Sequence, residues 1–233
     1  MVKKVERTYG KTLKGLFFTV NPIKKLLLKT NCTVHKFINI QAIKIIGKNG
    51  YGDIKEFYKD NIDCLNKGVT WADSDFKSSN HFYHYKEGKG LYGFSNALTE
   101  SNKYYNNAVD YYKKGDLEKA MFYIGAAAHL VQDATVPQHV NNKLLNSHRG
   151  FELWIISKLL SNYEFYEENE IRRYESISDY IKNNAIFANI AYEKHEHIED
   201  KEERYSKIAP LIIKEAQSTT AGFLIDFYEK NHK

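Results

Sequence analysis

Apolar residues return every three or four positions through most of the chain and nowhere alternate over the length of a strand. In "CTVHKFINIQAIKII" (32–46), Val34, Ile38, Ala42 and Ile45 share one face, which predicts an amphipathic helix, and "GKNGYGD" (47–53) stops it. A second helix is predicted over 54–67. The stretch 68–90, rich in Ser, Asp, Asn and Gly, reads as a long irregular segment, and loops of that length in compact domains are commonly functional. Its aromatics, Trp71, Phe76, Phe82, Tyr83 and Tyr85, argue for order. A Tyr-rich helix follows from Ser95 to Lys114, closed by Gly115, and Asp116 is placed to cap the next, "LEKAMFYIGAAAHLVQDA". The small residues "GAAA" (125–128) would let a neighbouring helix come close. Three more helices are predicted at 148–160, 177–194 and 203–230. Without a repeat or a composition break, this pattern predicts an all-α, single-domain helical bundle.

Composition agrees: 42% hydrophobic and 27% charged residues suit a globular chain, and only three prolines and thirteen glycines interrupt the helices. Two cysteines, Cys32 and Cys64, make no disulfide framework, so stability must come from packing or from metal. Charge divides the chain. Residues 1–48 hold eleven Lys or Arg against the single acid Glu6, and the remainder is net −5 within a total of +5. We therefore separate a basic N-terminal arm, 1–31, from a helical domain, 32–233; such an arm suits an anionic membrane surface or nucleic acid. In the arm, "LFFTV" is too short for a signal-peptide core, and Pro22, Lys24 and Lys25 soon interrupt it. The cytoplasm is therefore the favoured location, with secretion as the alternative. No apolar run of ~20 residues is present to span a membrane.

The candidate chemistry lies in "HLVQDATVPQHVNN" (129–142) and "HRGFELW" (148–154). Residues four apart on a helix share a face, so His129 and Asp133 can address one ion, and His148 and Glu152 repeat the pair on the next helix. His139 lies between them after the helix-stopping Pro137. Alone, each has an ordinary explanation as a core histidine or a solvated acid. Together, five imidazole and carboxylate groups in twenty-four positions are a donor set suited to zinc.

These residues also carry a family resemblance. "KAMFYIGAAAHLVQDATVPQHVNN" followed by "HRGFELW" resembles the zinc-dependent bacterial phospholipases C, whose wider superfamily includes the S1/P1-type nucleases. "GVTWADSDFKSSNHFYH" is similar to the family segment that presents an aspartate and a histidine, "VHKFINIQAIKI" to the early helix bearing another histidine, and "AQSTTAGFLIDFYEK" to the closing helix. The resemblance implies an all-α fold with a metal cluster of two to three zinc ions between helices. Carried over by motif, His129, Asp133 and His81 would hold one zinc, with Asp73 as a further ligand or as the general base. His139, His148 and Glu152 would hold a second. His35 would contribute to a third, with Asp133 bridging.

The implied reaction is phosphodiester hydrolysis at a phospholipid membrane surface, yielding diacylglycerol and a phosphorylated head group, with Asp73 preferred over Asp75 as the base. A nuclease or other phosphodiesterase using the same metals, and a silent zinc-stabilised binding protein, are the alternatives. Three departures from the family pattern stand out. No tryptophan precedes Trp71 to serve as the family's N-terminal ligand, which leaves Cys32 as a substitute to consider near His35. Ser74 and Ser78 stand where choline-selective members have aromatics, so Phe76, Phe82 or Tyr83 would have to supply another wall. Finally, the sequence ends soon after the helical domain, and the β-domain of some toxins is not expected.

Overall fold

The computed structural model describes residues 32–74, 80–91, 95–141, 148–161, 165 and 169–232, the side chains of residues 148 and 160 excepted. The basic arm, Asp75, Phe76 and Ser78 lie outside them, so the readings made of those residues are not taken further.

Among the described residues all regular structure is helical. In chain order the helices are α1 (Thr33–Lys48), α2 (Gly52–Asp60), α3 (Ile62–Ala72), α4 (Ala97–Lys113), α5 (Leu117–Asp133), α6 (Pro137–Val140), α7 (His148–Leu160), α8 (Ile177–His195) and α9 (Lys201–Asn231). Local chemistry explains most of their ends. Asn96, Asp116, Ser176 and Asp200 each accept a hydrogen bond from the backbone three residues on, which satisfies an orphan donor of the first turn. Gly115, with φ of 76°, supplies the left-handed step that closes α4.

α5 is the centre of the bundle. From Ile124 to Asp133 every residue is buried, with α3 and α4 packed along it and α8 and α9 against its remaining faces. A helix buried all round has no polar stripe, so each polar residue on it must find a partner inside. The approach of α3 is set by two glycines: a Cβ on Gly68 would lie 1.8 Å from the Phe122 carbonyl oxygen, and one on Gly125 would lie 1.9 Å from that of Leu65. The small-residue run on α5 thus permits the close neighbour expected of it. Gly68, however, was expected to open the irregular segment. It lies inside α3, because a glycine needed for helix contact looks in sequence like a helix breaker. The helix runs on through Trp71 to Ala72 and delivers Asp73 as its C-cap.

A second apolar cluster joins the far parts of the chain. Ile38 of α1, Phe151, Trp154 and Ile155 of α7, Ala191 of α8 and Tyr205, Ile208 and Ile212 of α9 pack together, with Phe165 among them. Full burial of such a side chain is worth about 1.5–3 kcal/mol each, so this cluster fixes α1 and α7 against α9. α1 begins at Thr33, and Cys32 lies outside it with φ of 62°. The helical spacing that would bring Cys32 to the face of His35 therefore does not apply. No helix among the described residues is long and apolar enough to cross a membrane.

Candidate metal centre

The chain turns at the end of α5 in a way that folds its histidines inward. Asp133 closes the helix, Val136 is extended, and Pro137 restarts the chain as the first residue of α6, where a missing N–H costs nothing. That four-residue helix returns His139 towards Asp133. The preceding loop is tied to it: the Tyr83 amide donates to the His139 carbonyl, and the Tyr85 amide to that of Val140, both at 3.1 Å. Phe82 and Tyr83 are buried, Phe82 against the His139 ring, so they pack the loop and present no open wall to a ligand.

Four imidazoles consequently surround one carboxylate. His81 Nδ1, His129 Nε2 and His139 Nδ1 lie 2.9, 3.1 and 3.5 Å from Asp133 Oδ2, and His35 Nε2 lies 3.4 Å from Oδ1. His81 Nδ1 and His129 Nε2 are 3.3 Å apart. Asp73 is exposed at the end of α3 and has a carboxylate oxygen near His81 and His129. His81, His129, His139 and Asp133 are buried, and His35 is half-buried.

Electrostatics marks the cluster as unusual. Burial alone would push the Asp133 carboxyl up, yet the charges of His129 and His139 and the hydrogen bonds from His129 and His81 hold it well below the usual range. Burial, and then the neighbouring His129, push His35 down to about 4. For His81 burial acts downward, but the hydrogen bond to Asp133 and the charges of Asp133 and Asp73 raise it overall. Glu152 is solvent-exposed by surface area, and burial of its carboxyl and then the carboxylates of Asp133 and Asp73 push it up to about 7. The His148 side chain is outside the described residues.

The donor set fits a metal on three counts. First, two ligand atoms each about 2.0–2.1 Å from a tetrahedral zinc stand about 3.3 Å apart, and the separations here, 2.9 to 3.5 Å, bracket that value. Second, His81 Nε2 is 3.0 Å from the Ala72 carbonyl oxygen, so Nε2 carries a proton, and whenever His81 is neutral its Nδ1 lone pair faces Asp133. Two lone pairs facing at 2.9 Å repel unless a cation comes between them, and a backbone carbonyl on the far nitrogen is the usual orienting contact of a metal-bound histidine. Third, the groups gathered here are imidazoles and carboxylates, the nitrogen and oxygen donors that zinc takes. Among the described residues, those able to gather on one ion fall into two overlapping groups, His35 with His129 and Asp133, and Asp73 with His81 and His129. The expected set thus comes together at His35, Asp73, His81, His129 and Asp133. His139 lies beside Asp133; of its expected companions, Glu152 is described and the His148 side chain is not.

Sequence reasoning missed the polar residues behind these histidines. Ala72 acts through its carbonyl, which no residue type could announce. Gln132, Asn39 and Thr220 are buried on three different helices and bonded to one another. Each is a polar residue on a core-facing position, but which groups they bond is set only once their helices meet.

An all-helical domain that carries a zinc-type donor set at the end of its central helix defines the class. The family model for zinc dependent phospholipase C matches residues 34–205, and the chain belongs to this family of hydrolases. It is 27% identical over 230 residues to a phospholipase C of Listeria monocytogenes, covering 86% of this chain and 78% of that protein. Among solved structures it is similar in fold to an alpha toxin from Clostridium absonum, with a TM-score of 0.72 and 19% identity over 84% of this chain. It is also similar to the alpha-toxin of an avian Clostridium perfringens strain, with a TM-score of 0.71 and 18% identity over 85% of this chain. The chain spans 63% and 64% of the lengths of these two toxins. The nuclease alternative gains nothing from these relatives.

Proposed function

We propose that the chain hydrolyses the phosphodiester of a membrane phospholipid, releasing diacylglycerol and a phosphorylated head group, at a site built on Asp133. The observation that carries the reading is the convergence of His35, His81, His129 and His139 on that one buried carboxylate, with His81 held so that its lone pair faces inward. His81, His129 and Asp133 would hold one zinc and His35 with Asp133 another; His139, with His148 and Glu152, is the candidate set for a further ion. Zinc bound there supplies a Lewis acid for phosphoryl charge and a source of nucleophile at neutral pH.

The protein's own part is positioning and proton handling. Asp73, at the solvent edge of the cluster, is placed to orient the attacking water and accept its proton, or to serve as a further ligand. The buried histidines and Asp133 exclude bulk water from the inner side, so that a phosphodiester would approach from the exposed side of Asp73.

The test is release of phosphorylated head groups from mixed phospholipid vesicles, comparing wild type, His129→Ala and chelator-treated protein. Release by the wild type alone supports the reading, and the products identify the head group. A zinc-loaded wild type that releases nothing overturns it.

A further inference from the structure

The contact behind His35 differs in kind from the one behind His81. His35 Nδ1 lies 2.8 Å from the side-chain oxygen Oε1 of Gln132, and Gln132 is itself held at its other end. Its Nε2 donates to Asn39 Oδ1 at 2.8 Å and to Thr220 Oγ1 at 3.2 Å, and Asn39 Nδ2 in turn donates to Asn66 Oδ1 at 3.0 Å. The amide chain therefore runs in one direction, from Asn66 on α3 through Asn39 on α1 to Gln132 on α5, and ends with an acceptor aimed at His35. A histidine that meets an acceptor at Nδ1 carries its proton there and leaves Nε2 with a lone pair. Distances agree: 2.8 Å at Nδ1 is a good hydrogen bond, whereas 3.4 Å from Nε2 to Asp133 is too long for a strong one.

We propose that Gln132 is a positioning residue: by accepting from His35 Nδ1–H while anchored to Asn39 and Thr220, it fixes the His35 tautomer and ring so that the Nε2 lone pair faces Asp133. The Gln132 side chain acts through His35, to which its Oε1 is bonded. The relay also joins α1 to α5 and α9, so the ring of His35 is set by side chains from three helices and not by its own helix alone. Groups that orient a ligand histidine from behind typically change metal affinity 10–100-fold when removed. The inference rests on the reading of His35 as a metal ligand, and the experiment separates the two.

Zinc affinity is measured by competition with a chromophoric chelator for wild type, Gln132→Met and Gln132→Glu, alongside the melting temperature of each metal-free protein. Histidine nitrogen NMR of the metal-free wild type reads the His35 tautomer without any substitution. Gln132→Met fills the space but accepts nothing from His35, and should weaken zinc about 10–100-fold at one site. Gln132→Glu keeps an acceptor towards His35 but loses the donor to Asn39 and buries a charge. It should therefore melt lower than Gln132→Met yet hold zinc more tightly. A purely structural glutamine would make affinity follow melting temperature, which is the opposite order. The expected tautomer is Nδ1–H. Equal zinc affinity in all three proteins, affinity ranked with stability, or an Nε2–H tautomer at His35 would each overturn the proposal. If the wild type binds no zinc at all, it is the metal reading that falls, and the tautomer measurement still decides what Gln132 does.

Discussion

Among the described residues two aspartates are buried, and their surroundings are opposites. Asp226 on α9 meets only permanent donors: Arg173 Nε at 2.7 Å and the Tyr180 hydroxyl at 2.6 Å, with Arg173 reaching Glu229 as well. Neither donor gives up its proton near neutral pH, so the carboxylate is satisfied as it stands. Asp133 is ringed by imidazoles, and one of them, His81, commits its Nε2 proton to the Ala72 carbonyl, so that its neutral form offers Asp133 a lone pair. The lesson concerns the second contact. A buried acid among groups whose protons face it is structural, whereas a buried acid among groups whose protons are committed elsewhere is arranged for a cation.

The sharpest way to break that contrast is to remove each charge in turn. Asp133→Asn should lose zinc and hydrolysis together while the metal-free protein still folds. Asp226→Asn should keep both zinc per chain and hydrolysis, and lose about 2 kcal/mol in urea unfolding from spoiled charged hydrogen bonds. Arg173 is 38% exposed, so solvent screening keeps this figure well below that of a wholly buried pair. An Asp133→Asn protein with full zinc content, or a folded Asp226→Asn protein without zinc, would show that the distinction has no force.

The helix contact that carries Ala72 offers a second test. A methyl on Gly68 would collide with the backbone of α5 at Phe122 and Ala126, where no side chain can yield. Gly68→Ala should force α3 away and cost about 3 kcal/mol by overpacking. Because Ala72 lies one turn on, the same shift loosens the contact that orients His81. Zinc affinity should therefore fall in the Asp133 region, while the hydrogen bonds at Asp226, made by residues outside α3, persist. Unchanged chelator competition in a destabilised Gly68→Ala protein would mean that the Ala72 carbonyl is not what orients His81.

How much of this was legible in the sequence follows the same division. The helices from Ser95 onward, the Gly115 and Asp116 boundary and the inward histidines could be read, because periodicity, capping and ligand spacing are local. Gly68 could not, since its reason lies on α5, more than fifty residues away. Nor could the pairing of Arg172 and Arg173 with Glu215 and Asp226, or the hydrogen-bonded set of Asn39, Gln132 and Thr220, which exist only once distant helices meet. The candidate metal donors were conspicuous in sequence; the groups packed behind them were not.

The smallest expected effect concerns Tyr180, and pH gives it a sign. Burial first, and then the hydrogen bond to Asp226, raise this phenol far above its ordinary value of 10.0, and Tyr58, whose hydroxyl donates to the Leu224 carbonyl at 2.7 Å, is raised as well. Elsewhere Tyr104 is pushed up to about 12 by burial. A raised phenol contributes stability that is fully present below the unfolded value near 10 and lost as pH climbs above it. Wild type should thus weaken steadily from pH 10 upward, with the Tyr104 share gone by about 12. Tyr180→Phe should cost about 1 kcal/mol at pH 7 by leaving Asp226 one donor short. Above pH 10, however, phenylalanine has no proton to lose, so the gap to wild type should narrow as pH rises. Urea unfolding of both proteins between pH 7 and 11 reads the difference, and a gap that widens would mean that Tyr180 does not hold its proton against Asp226. Nothing in this exchange touches the histidines, so chelator competition at pH 7 should give the same zinc affinity for Tyr180→Phe as for wild type.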